Sequence, residues 1–406
     1  MVGIVKLKNK IQEYTWGSKT AIAELMGNPA PSPKPQAELW MGAHPKAPSE
    51  VLLENEYITL IELIKKNPSA ILGNATARKF SESLPFLFKV LAAGEPLSIQ
   101  AHPTARQAKD GFQRENRENI PLDAYKRSYK DQNHKPEIIS ALTPFWAMSG
   151  FRPIGKMLNI LNLVDLQSMS QEIDAFHKRP DTHGLKDFFE SLMNLPANKK
   201  EKLVGEAVRW AEKAGKKSTT EIEIVSRWIL RLNEKYPGDI GVLSPIILNL
   251  ECLNPGDAMF TRAGVLHAYL EGVGIELMAN SDNVLRGGLT EKNVDVPELL
   301  RILDYSSTTF KKIPEITMPN GEMIYDSPAQ EFRLSRIHVN KNNDYSSDET
   351  RSAEIIICIE GNCIINDIRE NTKHEVSKGD SILIPASVTQ YTITGAAQLF
   401  KASVPL

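Results

Sequence analysis

Hydrophobic and polar positions change rhythm twice along this chain of 406 residues. Up to about residue 150, short strand-like runs mix with helical ones. In Leu97-Ser98-Ile99-Gln100-Ala101-His102 apolar and polar side chains alternate, as in a half-buried strand. Strand side chains repeat every two residues, so Ser98, Gln100 and His102 share one face. Leu97, Ile99 and Ala101 share the other. A second short strand is predicted over His134-Lys135-Pro136-Glu137-Ile138-Ile139. Lys135 precedes a proline and is biased to an extended conformation, which places Lys135 and Glu137 on one face. The Pro-rich stretch Pro29 to Pro35 is a loop. Thr104 follows Pro103 and starts a helix, with Gln107 completing a capping box.

From about Ile154 to Lys235 the spacing turns helical. Leu158, Leu161 and Leu163-Val164 form one stripe, and Phe188, Phe189, Leu192 and Met193 a second. Val204, Val208 and Trp210-Ala211 follow in a Lys- and Glu-rich helix whose charges form a solvated face. After Tyr236-Pro237-Gly238-Asp239 the strand rhythm returns, and from Phe310 onward it dominates. Glu354 to Ile359 and Cys363 to Ile368 read as a hairpin around Glu360-Gly361-Asn362. Short strands with regular turns predict a jelly-roll barrel.

The chain also echoes itself. Pro255-Gly256-Asp257-Ala258 through His267 has the spacing of Lys378-Gly379-Asp380-Ser381 through Gln390. In both, Gly-Asp opens an apolar strand, a turn follows, and a second strand begins. His267 falls opposite Gln390. The echo implies two barrels of one type, with a ligand-capable residue kept only in the first.

Composition narrows the class. The length calls for two or three domains. A formal net charge of -2 argues against a general nucleic-acid binder or an electrostatic membrane binder. No apolar run is long enough to cross a bilayer, and Met1-Val2-Gly3-Ile4-Val5-Lys6 has no signal-peptide core. The three cysteines, Cys252, Cys358 and Cys363, form no disulfide framework and read as free thiols. Together these features fit a cytoplasmic protein, and a barrel-bearing chain with a helical insert is expected to be a monomer.

Gln100, His102, Glu137 and His267 are the candidate metal ligands, because the first two point into one space and the others lie in segments of similar chemistry. Lys89 interrupts Phe86-Leu87-Phe88-Lys89-Val90-Leu91 and either binds phosphate or pairs with a core carboxylate. Glu276 sits in the apolar run Gly274-Ile275-Glu276-Leu277-Met278, where an unpaired carboxylate is costly. It is either a catalytic base or half of an ordinary ion pair. Trp16 and Trp40 either stack on a sugar or pack in the core.

Several segments share a further pattern. Tyr14-Thr15-Trp16-Gly17-Ser18, Ala37-Glu38-Leu39-Trp40-Met41-Gly42-Ala43-His44-Pro45, Leu97 to Pro103 and Asp131 to Glu137 resemble the type I phosphomannose isomerases of the cupin superfamily. So do Gly264-Val265-Leu266-His267-Ala268-Tyr269 and the run Asn280 to Thr290. The resemblance implies a mainly β fold with α, in which two cupin-type jelly-roll barrels flank an inserted helical domain. A discontinuous catalytic domain would span 1–150 and 245–310, the insert 151–244, and a barrel without a metal site 311–406. It implies one zinc ion held by Gln100, His102, Glu137 and His267. The reaction it implies is interconversion of mannose 6-phosphate and fructose 6-phosphate. Arg286 matches the family's essential arginine. Lys89, Ser98, Lys135, Asp282 and Lys292 match residues of the substrate cleft. Trp16, Tyr269 and His134 complete the candidate substrate-contacting set, although alternation turns His134 to the opposite strand face.

Such chemistry suits these residues. Aldose–ketose isomerisation moves a proton between C1 and C2 through an enediolate. Neutral Gln and His ligands leave Glu137 as the one anion, so the ion keeps positive charge and acts as a Lewis acid. Arg286 supplies a second fixed cation for an oxyanion or a phosphate. Lys135 is the first candidate for the base, with Asp282 and Glu276 behind it. Two other readings compete: an iron-dependent cupin oxygenase, and a non-catalytic sugar-phosphate-binding double barrel.

Overall fold

The computed structural model describes residues 2–214 and 220–406. Two large antiparallel sheets and a helical block make up the molecule. The first sheet is built around the long strand His267–Ala279, which pairs with Phe86–Ala93, Glu137–Ala141, Phe145–Phe151 and, at its start, Ile99–Ala101. This strand carries the apolar run around Glu276 and is buried over most of its length. A continuous apolar run is what a strand covered on both faces requires. The second sheet is built around Tyr391–Ser403, paired with Arg333–Val339 and Glu354–Asp367. The N-terminal strand Val5–Lys8 joins this second sheet through Ser381–Ile384, and Glu50–Leu53 extends it further. The two sheets share one apolar core, in which Phe88 and Leu277 meet Phe332, Ile355 and Phe400.

The sequence echo is a structural one. Gly256 and Gly379 both take left-handed φ, +90° and +89°. At each turn the following aspartate accepts from a backbone N–H three residues back, Asn254 to Asp257 at 2.8 Å and Ser377 to Asp380 at 2.9 Å. Ala258–Thr261 and Ser381–Ile384 follow, and then His267–Ala279 and Tyr391–Ser403, the short and long strands matching in length.

The insert holds helices Ile154–Val164, Ser170–Lys178, Thr182–Met193, Ala197–Ala214 and Thr220–Lys235. Phe188, Phe189, Leu192 and Met193 bury one stripe, as their spacing requires. Leu158, Leu161 and Val164 are buried, but Leu163 is 57% exposed. At 100° per residue it has rotated off the stripe that Val164 completes. Thr104 caps the helix Ala105–Arg117 through a full capping box with Gln107.

The hairpin expected around Glu360-Gly361-Asn362 does not form. Glu354–Asp367 is one strand, paired with Tyr391–Ser403 from Glu354 opposite Ser403 to Asp367 opposite Tyr391. Continuous pairing outweighs the local turn signal. Ile359 is the extra residue of a bulge at the register shift between Cys358 and Glu360, and Gly361, at φ +76°, follows in register opposite Ala397. The reversal comes later, before the strand Thr372–Ser377. Cys252, Cys358 and Cys363 are free thiols.

Candidate functional site

The strand Ile99–Ala101 lies between two partners. Gln100 stands directly opposite His267 on one side and Arg286 on the other. His102 follows at the strand's end, and Glu137 opens Glu137–Ala141. Three segments distant in sequence thus deliver ligand-capable side chains to one place, and a fourth brings Arg286.

His102, Glu137 and His267 are all buried, and one ligand atom from each lies within 4.8 Å of the others. Glu137 Oε2 is 3.3 Å from His102 Nε2 and 3.1 Å from His267 Nε2. The outer ring nitrogens fix which lone pairs face inward. His102 Nδ1 donates to the Asn283 carbonyl at 2.8 Å, and His267 Nδ1 donates to the Val265 carbonyl at 3.0 Å. Each Nε2 of a neutral ring is then a bare lone pair aimed at a carboxylate oxygen. His102 Nε2 and Glu137 Oε2 are buried with no hydrogen-bond donor. Burial pushes the His102 imidazole down to about 4, so it is neutral at physiological pH. Burial alone would raise the Glu137 carboxyl; the Lys135 ammonium opposes it, and the group is held well below the usual range. Acceptors facing one another without a proton between them are stabilised by a cation. Two imidazoles and a carboxylate with a fixed outer shell fit zinc.

The other candidates surround this centre. Gln100 Nε2 donates to Ser98 Oγ at 3.2 Å, which confirms their shared face and leaves the amide oxygen as the acceptor. Lys135 Nζ sits 2.7 Å from the outer oxygen of Glu137. Beneath them runs a row across three strands, Trp40, Lys89 and Glu276, each directly opposite the next. Lys89 Nζ lies 2.9 Å from Glu276, 3.5 Å from Glu38 and 5.5 Å from the centre of the Trp40 ring. Burial disfavours its charge, but the two carboxylates prevail and raise its pKa. Burial raises Glu276 despite Lys89. Lys89 is therefore a carboxylate-paired core lysine. Tyr269 is buried beside this row, and burial, then the Glu276 charge, pushes its phenol well up. Trp16 is partly buried and stacks on Tyr14, their ring centres 5.7 Å apart.

Arg286 is half-buried, and burial lowers its guanidinium pKa. Among the described residues it has no ion pair. Lys292 lies on the loop beyond; burial, then the charges of Arg286 and Lys46, push its ammonium down. Asp282 faces Lys46 at 2.9 Å. The strand expected over His134–Ile139 begins only at Glu137; His134 lies in the loop before it and bonds Glu331 of the C-terminal region at 2.8 Å.

Known proteins match this arrangement over its whole length. Residues 4–154 match the phosphomannose isomerase type I catalytic domain, and residues 163–248 its helical insertion domain. Residues 324–404 match the mannose-6-phosphate isomerase cupin domain. The mannose-6-phosphate isomerase of Escherichia coli K12 is 40% identical over 404 residues, covering 98% of each chain. The chain belongs to the type I phosphomannose isomerase family. The human mannose-6-phosphate isomerase is 34% identical over 409 residues, covering 95% of this chain and 94% of its own. A crystal structure of a mutant phosphomannose isomerase from Salmonella typhimurium superposes with a TM-score of 0.91 at 37% identity, covering all of both chains. A zinc-bound mannose 6-phosphate isomerase structure superposes at 0.90 with 38% identity and the same coverage.

Membership of the phosphomannose isomerase family sets the oxygenase and non-catalytic readings aside. Residues missed in the sequence are mostly those that support others. Glu38 shares a strand face with Trp40, and that spacing was a usable signal. Asn283 could not be found that way. Its carbonyl fixes His102, while its side chain holds the backbone of Lys130, Asp131 and Asn133. The contact with His102 spans 181 positions of sequence.

Proposed function

We propose that this chain interconverts mannose 6-phosphate and fructose 6-phosphate with one zinc ion, held by Gln100, His102, Glu137 and His267. The observation that carries the reading is the buried group of His102, Glu137 and His267, with donor-free atoms on His102 and Glu137, in a chain whose family includes a zinc-bound relative. When bound, zinc supplies a Lewis acid for the substrate's C1 and C2 oxygens.

This chain's own residues do the rest. The half-buried Arg286 guanidinium, across the Gln100 strand from His267, holds negative charge on substrate oxygens. Lys135 and Asp282 are the groups that take a proton from one carbon and return it to the next. The Lys89–Glu276–Glu38 cluster sets the charge below them. Lys292 and Ser98 receive the phosphate, and Trp16 and Tyr269 bound the sugar. The working unit is one jelly-roll chain, because every candidate residue comes from it, with 1–150 and 245–310 as its catalytic part. Three free cysteines support a reducing, cytoplasmic setting. The test is conversion of mannose 6-phosphate by the zinc-loaded chain. No turnover there would overturn the reading.

A further inference from the structure

The turn that follows Glu38–Gly42 is not explained by the metal or by the cluster beneath it. It brings two residues to Asp282, which lies more than two hundred positions away in sequence. Lys46 Nζ, largely exposed, is 2.9 Å from Asp282 Oδ2. His44 Nε2, buried, is 3.6 Å from Asp282 Oδ1. The two oxygens of one carboxylate thus face two different side chains of one turn.

The His44 ring is fixed on every side. Its Nδ1 accepts from the Lys46 backbone N–H at 3.3 Å, so in the neutral ring the proton sits on Nε2, facing Asp282. Its edge meets the Trp40 ring with centres 4.9 Å apart. Burial lowers the His44 pKa, and Lys46, Lys89 and Lys135 add to that against Asp282. Asp282 is equally well placed from behind. Its backbone N–H donates to Asp131 Oδ2 at 2.7 Å. The next residue, Asn283, holds His102 through its carbonyl.

We propose that His44 is a positioning residue for Asp282: the turn holds its buried Nε2–H 3.6 Å from Oδ1, to aim the carboxylate when substrate closes that gap, while the exposed Lys46 holds the outer oxygen. At 3.6 Å the inner contact is longer than a hydrogen bond. Contacts of this kind are often long in ligand-free enzymes and tighten with substrate. This inference rests on the isomerase reading, and turnover by the unaltered zinc-loaded chain checks that reading separately.

Two variants test it, each assayed for zinc content, kcat and KM. His44→Phe keeps a ring against Trp40 and removes the donor. His44→Gln keeps an N–H at the same reach. The expected result is a drop in kcat of about 10–100-fold for His44→Phe, with zinc retained and KM little changed, and recovery of most of that loss in His44→Gln. Equal losses in both variants, loss of zinc from His44→Phe, or unchanged kcat in His44→Phe would each make His44 a packing residue and overturn the proposal.

Discussion

Each sheet buries a lysine between two glutamates, and the two clusters end differently. In the C-terminal sheet Lys401 Nζ meets Glu322 at 2.9 Å, Glu354 at 3.1 Å and the Tyr345 hydroxyl at 3.0 Å. Glu354 also accepts from Tyr391 at 2.9 Å and faces Arg351 at 3.3 Å. Two cations balance two carboxylates, and Lys401, Glu322 and Glu354 are each met by a partner. In the first sheet Lys89 and Lys135 face three carboxylates, Glu38, Glu276 and Glu137. That leaves one net negative charge and donor-free atoms on His102 and Glu137. A doubly charged ion turns the balance to one positive. A polar network closed on itself stabilises a fold; one that lacks a cation is built to receive it.

The comparison breaks most directly at the repeated position. His267→Ala should lose zinc and fall to background turnover, whereas Gln390→Ala, its counterpart, should change neither; metal analysis beside the activity assay decides. Next come the two lysines. Lys401→Met leaves the buried Glu322 carboxylate without a cation and should cost about 3–5 kcal/mol in urea unfolding, with kcat per folded molecule kept. Lys89→Met should cost a similar amount and also lower kcat. If the two variants behaved alike in kcat, the clusters would not differ in role.

Arg286→Ala should retain zinc and lose about 3–4 kcal/mol of transition-state stabilisation, read from kcat/KM. Near-normal turnover would remove its charge-stabilising role. The smallest effect concerns His102 in the zinc-free chain. Its folded pKa, about 4, lies below the ordinary 6.5. The unfolded chain therefore takes up a proton that the folded chain refuses. Stability from this group is present above pH 6.5 and is lost as pH falls toward 4, by about 3 kcal/mol in total. Urea midpoints of the unaltered chain and His102→Gln should diverge in slope over that window; parallel curves would contradict a buried neutral imidazole.

What the sequence made legible was local or periodic. Alternation placed Ser98 beside Gln100. The Thr104 capping box, the buried stripe at Phe188–Met193 and the Gly-Asp echo were read from spacing alone. What escaped was long-range. The bulge at Ile359 depends on pairing with Leu399 and Gln398 of a distant strand, and local turn chemistry could not reveal it. The pairing of Val5–Lys8 with Ser381–Ile384 joins the chain's two ends. Lys89 and Glu276 were each flagged as a buried charge in an apolar strand. Their register across 187 positions, which local sequence does not carry, brings them together as an ion pair.

The central claim is that the open network in the first sheet needs a cation to do its chemistry. The direct measurement is mannose 6-phosphate turnover before chelation, after it, and after stoichiometric zinc is returned, with bound metal measured at each stage. Loss on chelation and recovery at one zinc per chain is the predicted result. Full turnover in a chain shown to be free of metal would contradict it.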